Sequence, residues 1–96
     1  MKSDNQASLA EALKSVLQSQ NLLHKTKERL LFNEWDKIVG KSIGNYTIPK
    51  YLDKGVLYIH ATDSLWRQEL IMKKDELVDV INAQLGITLI ESVEIR

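Results

Sequence analysis

Side chains able to do acid-base or nucleophilic chemistry are few in this chain: two histidines, His24 and His60, the pair Asp63-Ser64, and no cysteine. General acid-base catalysis needs a partner group within hydrogen-bond reach of the first, and no spacing here supplies one. His60 falls in the alternating stretch of residues 56–61, on the side opposite Leu57 and Ile59, so it is expected at the surface. Asp63-Ser64 reads as a helix start, because short polar side chains there accept from backbone N–H groups that have no helical partner. Gly40-Lys41-Ser42 resembles the end of a phosphate-binding loop, but that loop requires a glycine five residues earlier, where Trp35 stands. The triplet is expected to cap a helix instead. Gly40 and Gly44 are one residue too far apart for a GXXG backbone clamp. With no cysteine and no His/Asp/Glu cluster at ligand spacing, no metal or cofactor is expected, and the chain is read as a binding protein rather than an enzyme.

The residues suited to binding are more numerous. Lys25, Lys27, Arg29, Lys37 and Lys41 surround one predicted helix, and Lys50 and Lys54 flank a predicted hairpin; all are candidates for phosphate or partner contact. Glu28, Glu34 and Asp36 dilute the first group. Tyr46, Tyr51, Tyr58 and His60 lie in or beside the hairpin, where strand-borne rings can stack on unpaired bases. Trp35 and Trp66 fall on apolar helical stripes and are expected in the core.

The elements that must position these residues follow from periodicity. Leu9, Leu13, Val16 and Leu17 predict an amphipathic helix over residues 8–20 that ends near Gln20-Asn21. Leu31, Trp35 and Ile38 predict a second helix over residues 25–39, stopped by Gly40. Residues 43–52, with Pro49, suit an edge strand, since proline cannot donate to a ladder. Asp53-Lys54-Gly55 is a hairpin turn and residues 56–61 its return strand. Trp66, Leu70, Leu77, Ile81 and Leu85 predict one long helix over residues 64–85 with Gly86 at its stop, and residues 88–95 a third strand parallel to the second. The expected fold is a two-layer α+β domain, order α-α-β-β-α-β, with a three-stranded sheet packed against helices. Its core should include Leu13, Leu31, Trp35, Ile38, Leu57, Ile59, Trp66, Leu70, Leu77 and Ile81.

At 96 residues, 44% hydrophobic and 27% charged, the chain is sized for one domain, here residues 8–96 after a flexible N-terminus of residues 1–7. The first fifty residues hold eight basic against five acidic side chains and the remainder five against eight, for zero net charge. That balance excludes a strongly electrostatic nucleic-acid binder and leaves room for a weak one. No apolar run approaches the length of a signal peptide core or a membrane span, so a cytoplasmic protein is expected.

Trp35-x4-Gly40, Tyr46-Thr47-x-Pro49, Gly55-x-Leu57-x-Ile59, Ser64-x-Trp66-x2-Glu69-Leu70 and Ile81-Asn82-x2-Leu85-Gly86, in this order and spacing, resemble the DciA-type domain of bacterial replicative helicase loaders. The similarity spans about residues 9–96. It implies a KH-like arrangement without the GXXG clamp, binding to the hexameric replicative DNA helicase, assistance in its loading, and weak affinity for single-stranded DNA. Longer members carry a basic extension after the domain. This chain ends one residue beyond Ile95, so its folded surface is expected to make the partner contact. The alternative implied by the fold is a KH-like RNA-binding or ribosome-associated module.

Overall fold

The alternating residues on either side of Lys54-Gly55 pair as a hairpin, β1 (Thr47–Asp53) running antiparallel to β2 (Val56–Ala61). Both turn residues have positive φ, 50° at Lys54 and 82° at Gly55, the backbone that matches a two-residue turn to the twist of its strands. The structure is a computed structural model that describes the backbone of residues 2–96 and the side chains of residues 8–96. The expected flexible segment over residues 1–7 lies outside the residues described in full. β3 (Ser92–Ile95) returns parallel to β2, pairing Leu57 with Val93 and Ile59 with Ile95, and the sheet order is β1-β2-β3. The Pro49 strand is thus an edge strand.

Helices occupy the stretches before and between the strands: α1 (Lys2–Asn33), α2 (Trp35–Val39), α3 (Lys41–Asn45), α4 (Ser64–Met72) and α5 (Lys74–Leu85). Leu57, Ile59 and Ala61 of β2 and Val93 and Ile95 of β3 form one face, which packs with Leu31, Trp35, Ile38, Leu70, Leu77, Ile81 and Leu85 into a single core. Burying an aliphatic side chain contributes about 1.5–3 kcal/mol, and this shared face joins the layers of the α+β domain. The buried Trp35 indole donates to Thr47 Oγ1 at 2.9 Å, and that hydroxyl donates to the Ile43 carbonyl at 2.6 Å. The first helical region is thereby tied to the start of the sheet.

Several boundaries differ from those read in the sequence. Gln20-Asn21 does not end the first helix. Neither residue breaks helical backbone, and α1 continues to Asn33. The break falls at Glu34 instead, which leaves the helical region at φ −115°, ψ 31°. Leu13, expected in the core, is 57% exposed on the part of α1 that stands away from the sheet. Gly40, at φ 90° and ψ 155°, adopts a backbone that non-glycine residues enter at a cost, and it lets the short α3 form where strand was expected. The predicted long helix is divided at Lys73, whose N–H is shared between the Glu69 and Leu70 carbonyls. Asp75 and Glu76 then sit in the first turn of α5, where negative charge is favourable. Leu89 and Ile90 are buried but not in a strand: their N–H groups donate to Asn82 Oδ1 at 3.0 and 3.1 Å, and Asn82 Nδ2 donates to the Ile90 carbonyl at 2.9 Å.

Candidate nucleic-acid interface

The face of the sheet opposite the core carries Ile48, Tyr51, Tyr58 and His60, all exposed or half-buried. Strict alternation would put residues 48 and 51 on opposite faces. They share one because the register slips between Pro49 and Tyr51: Ile48 pairs with His60 and Pro49 with Ile59, and then Tyr51 pairs directly with Tyr58. Lys50 is the extra residue of this β-bulge, a feature that re-aims side chains without breaking the sheet. The two tyrosines stack with ring centres 4.4 Å apart and planes 17° apart. The Arg96 guanidinium carbon lies 5.4 Å from the centre of the Tyr58 ring, within cation–π range.

Lys50, Tyr51, Tyr58, His60 and Arg96, with Ile59 between Tyr58 and His60 on β2, line a shallow cleft of about 210 Å³. The cleft thus brings two aromatic rings together with the side chains of Lys50 and Arg96 on one open surface, a combination of stacking faces and positive charge. Tyr51 is 51% exposed and offers the freer ring. Arg96 belongs to this cluster although it is absent from the residues read as candidates; its place depends on β3 pairing parallel to β2, with the Arg96 N–H donating to the Ile59 carbonyl at 2.9 Å. The parallel pairing, once predicted, carried the signal that would have found it.

The other candidates lie elsewhere. Tyr46 stacks on Trp66, with centres 5.3 Å apart, away from the tyrosine pair. Trp66 is only partly buried, packing at the edge of the core. Lys41 borders a wider groove of about 690 Å³, whose apolar floor includes Val39, Ile43, Trp66 and Leu70 and whose rim includes Glu69 and Lys73. Asp63 caps α4, accepting from the N–H groups of Leu65 and Trp66 at 2.9 and 3.1 Å, so the Asp63-Ser64 pair does serve as a helix start. Lys37 is paired with Glu34 at 3.2 Å. Lys25 and Arg29 are exposed on α1 and share a side by their four-residue spacing, whereas Lys27, half-buried, falls on the other side. Lys54 sits at the tip of the hairpin turn. The basic residues therefore do not form one patch; Lys50 is the member that joins the aromatic face.

A family model described as "Dna[CI] antecedent, DciA" matches residues 8–95. The chain belongs to the DciA family. Among curated relatives, this DciA-family chain is 28% identical over 68 residues to a UPF0232 protein of Mycobacterium marinum, covering 71% of this chain and 36% of that one. It is 24% identical over 87 residues to a UPF0232 protein of Mycobacterium tuberculosis, covering 91% and 46%, and 34% identical over 62 residues to one of Bifidobacterium longum, covering 64% and 40%. The chain thus spans less than half the length of these relatives. The match takes in the Trp66 groove and, apart from Arg96, the Tyr51/Tyr58 face, together with the strands and the buried core residues that hold them.

Proposed function

We propose that this DciA-family chain is a non-enzymatic accessory of DNA replication that binds the replicative helicase, assists its loading, and holds single-stranded DNA weakly on the open face of its sheet. The observation that carries the reading is the family match over residues 8–95. The DNA part is supported in addition by the cleft in which Tyr51 and Tyr58 stand among Lys50, His60 and Arg96, since rings flanked by cations suit unpaired bases and their backbone. Affinity is weak, because a chain of zero net charge releases few counterions on binding. The helicase contact is assigned to the groove between Val39–Ile43 and α4, whose apolar floor suits a protein surface better than a phosphate. No helix among the described residues is long and apolar enough to cross a membrane, and a cytoplasmic setting is part of the proposal.

The test is capture of the helicase by the immobilised chain from nuclease-treated lysate, paired with titration of fluorescent single-stranded DNA and RNA of one sequence. Helicase recovered after nuclease, with DNA bound at least as well as RNA, is the expected result. Ribosomal proteins or RNA recovered without helicase would replace this reading with that of a KH-like RNA-binding module.

A further inference from the structure

The molecule measures 66 × 20 × 19 Å, far longer than its sheet and short helices require, and α1 supplies the long dimension. α1 meets the rest of the domain at α2 and α5, near the buried Leu31, and before that its apolar side chains lie open. Leu9, Val16, Leu23 and Leu30 recur at intervals of seven and are 63%, 53%, 43% and 39% exposed; Leu13 and Leu17 widen the stripe and are exposed to a similar degree. An apolar residue every seventh position drifts slowly around a straight helix and stays in contact with a neighbour only if the two supercoil left-handedly. Glu11, Lys14, Lys25 and Arg29 fall on the opposite side of the helix.

We propose that this seam docks on α1 of a second copy of the chain, as an antiparallel two-helix coiled coil. The choice of occupant comes from the positions that flank the seam. Helices that select a foreign partner do so largely through charges there, whereas α1 has Ala10, Leu17 and His24 on one flank and Ala12, Ser19 and Thr26 on the other. A flank without acidic or lysine and arginine side chains matches an equally uncharged one, and α1 itself carries such a flank, which makes the surface self-complementary as a two-fold interface requires. Lys27 sets the direction. It lies on the seam, so a parallel pair would place Lys27 against its own copy, while an antiparallel pair separates the two charges and sets each against the far, apolar end of the partner. Six half-exposed aliphatic side chains remove roughly 300 Å² of apolar surface per chain at about 50 Å² each. Over both chains that is roughly 600 Å², below the roughly 1,200–2,000 Å² of stable specific interfaces, so the dimer is transient and forms only at high concentration. The proposal is independent of the DNA and helicase reading.

Sedimentation velocity on the full chain, across a concentration series from micromolar to near-millimolar, tests it. The sedimentation coefficient should rise from monomer toward dimer. Val16→Glu with Leu23→Glu should hold the chain monomeric throughout while the urea midpoint of the domain stays unchanged, because neither residue belongs to the core. Leu22→Glu is the control: Leu22 is 64% exposed but lies off the seam, so this variant should dimerise as the parent does. A parent chain that stays monomeric with its α1 helicity intact would overturn the proposal, as would equal disruption by Leu22→Glu. Efficient self-crosslinking of Leu9→Cys in this cysteine-free chain would overturn the antiparallel order. A seam variant that still self-associates but no longer captures helicase would transfer the seam to that partner and refute the dimer.

Discussion

Asn82 gives the sharpest test of how the sheet is completed. Its side chain accepts from the Leu89 and Ile90 N–H groups and donates to the Ile90 carbonyl, replacing the ladder that the connection to β3 lacks. Ile90 is fully buried and Leu89 is 8% exposed, so Asn82→Ala leaves up to three polar groups without partners in a largely dry region. Each such group costs about 1–3 kcal/mol. Leu89 lies close enough to the surface for water to replace part of the loss, and we expect a total near 3 kcal/mol. Against the 5–15 kcal/mol typical of a domain, this is a large share. With an m-value of about 1–1.5 kcal/mol/M, the urea midpoint followed by tryptophan fluorescence should fall by about 2–3 M. Hydrogen exchange gives an independent readout. The Leu89 and Ile90 amides should be protected in the parent chain although they lie in neither helix nor strand, and should lose protection in the variant more than the Leu57 amide does. A loss below about 0.5 kcal/mol, or parent amides exchanging as freely as an open loop, would refute the reasoning.

Other substitutions probe the remaining parts. Trp66→Ala removes a half-buried ring that also stacks on Tyr46; the expected cost in urea unfolding is about 2–3 kcal/mol, below the range for a fully buried tryptophan. Thr47→Val leaves the buried Trp35 indole N–H without its acceptor and should cost about 1–3 kcal/mol, with a double-mutant cycle against Trp35→Phe returning a non-zero coupling energy. Gly40→Ala meets no steric neighbour but must keep φ near 90°, so thermal or urea unfolding should report a loss of about 1–3 kcal/mol from backbone strain alone. Tyr51→Ala should weaken single-stranded DNA binding by about 1–3 kcal/mol in anisotropy titrations without lowering the urea midpoint comparably.

Much of the architecture was legible in the sequence because its signals were local. Lys54-Gly55 fixed the hairpin, Pro49 the edge strand, Gly86 the stop of the last helix, and the stripe of Leu77, Ile81 and Leu85 the buried side of α5. The departures arise where tertiary packing or a single unusual backbone decides the outcome. Glu34 and Lys73 end helices although neither is a helix breaker by type, and periodicity ran through both. Leu13 satisfied the pattern of a core residue yet lies on the part of α1 that stands away from the sheet, because a stripe says that a face is apolar and not what covers it. For the candidate site, the alternation of β2 correctly placed Tyr58 and His60 together. Their meeting with Tyr51 depends on the bulge at Lys50, and the presence of Arg96 on strand pairing far along the chain; neither follows from local spacing.

The central proposal is tested most directly by the rate at which the replicative helicase loads onto closed circular single-stranded DNA, with and without the chain. The account predicts faster loading with no ATP turnover by the chain itself. It also predicts separable variants. Leu65→Glu, on the exposed wall of the Trp66 groove, should abolish helicase capture and the stimulation while leaving DNA binding intact, and Tyr51→Ala should keep capture but weaken DNA binding. A correctly folded chain that leaves the loading rate unchanged and captures no helicase would contradict it.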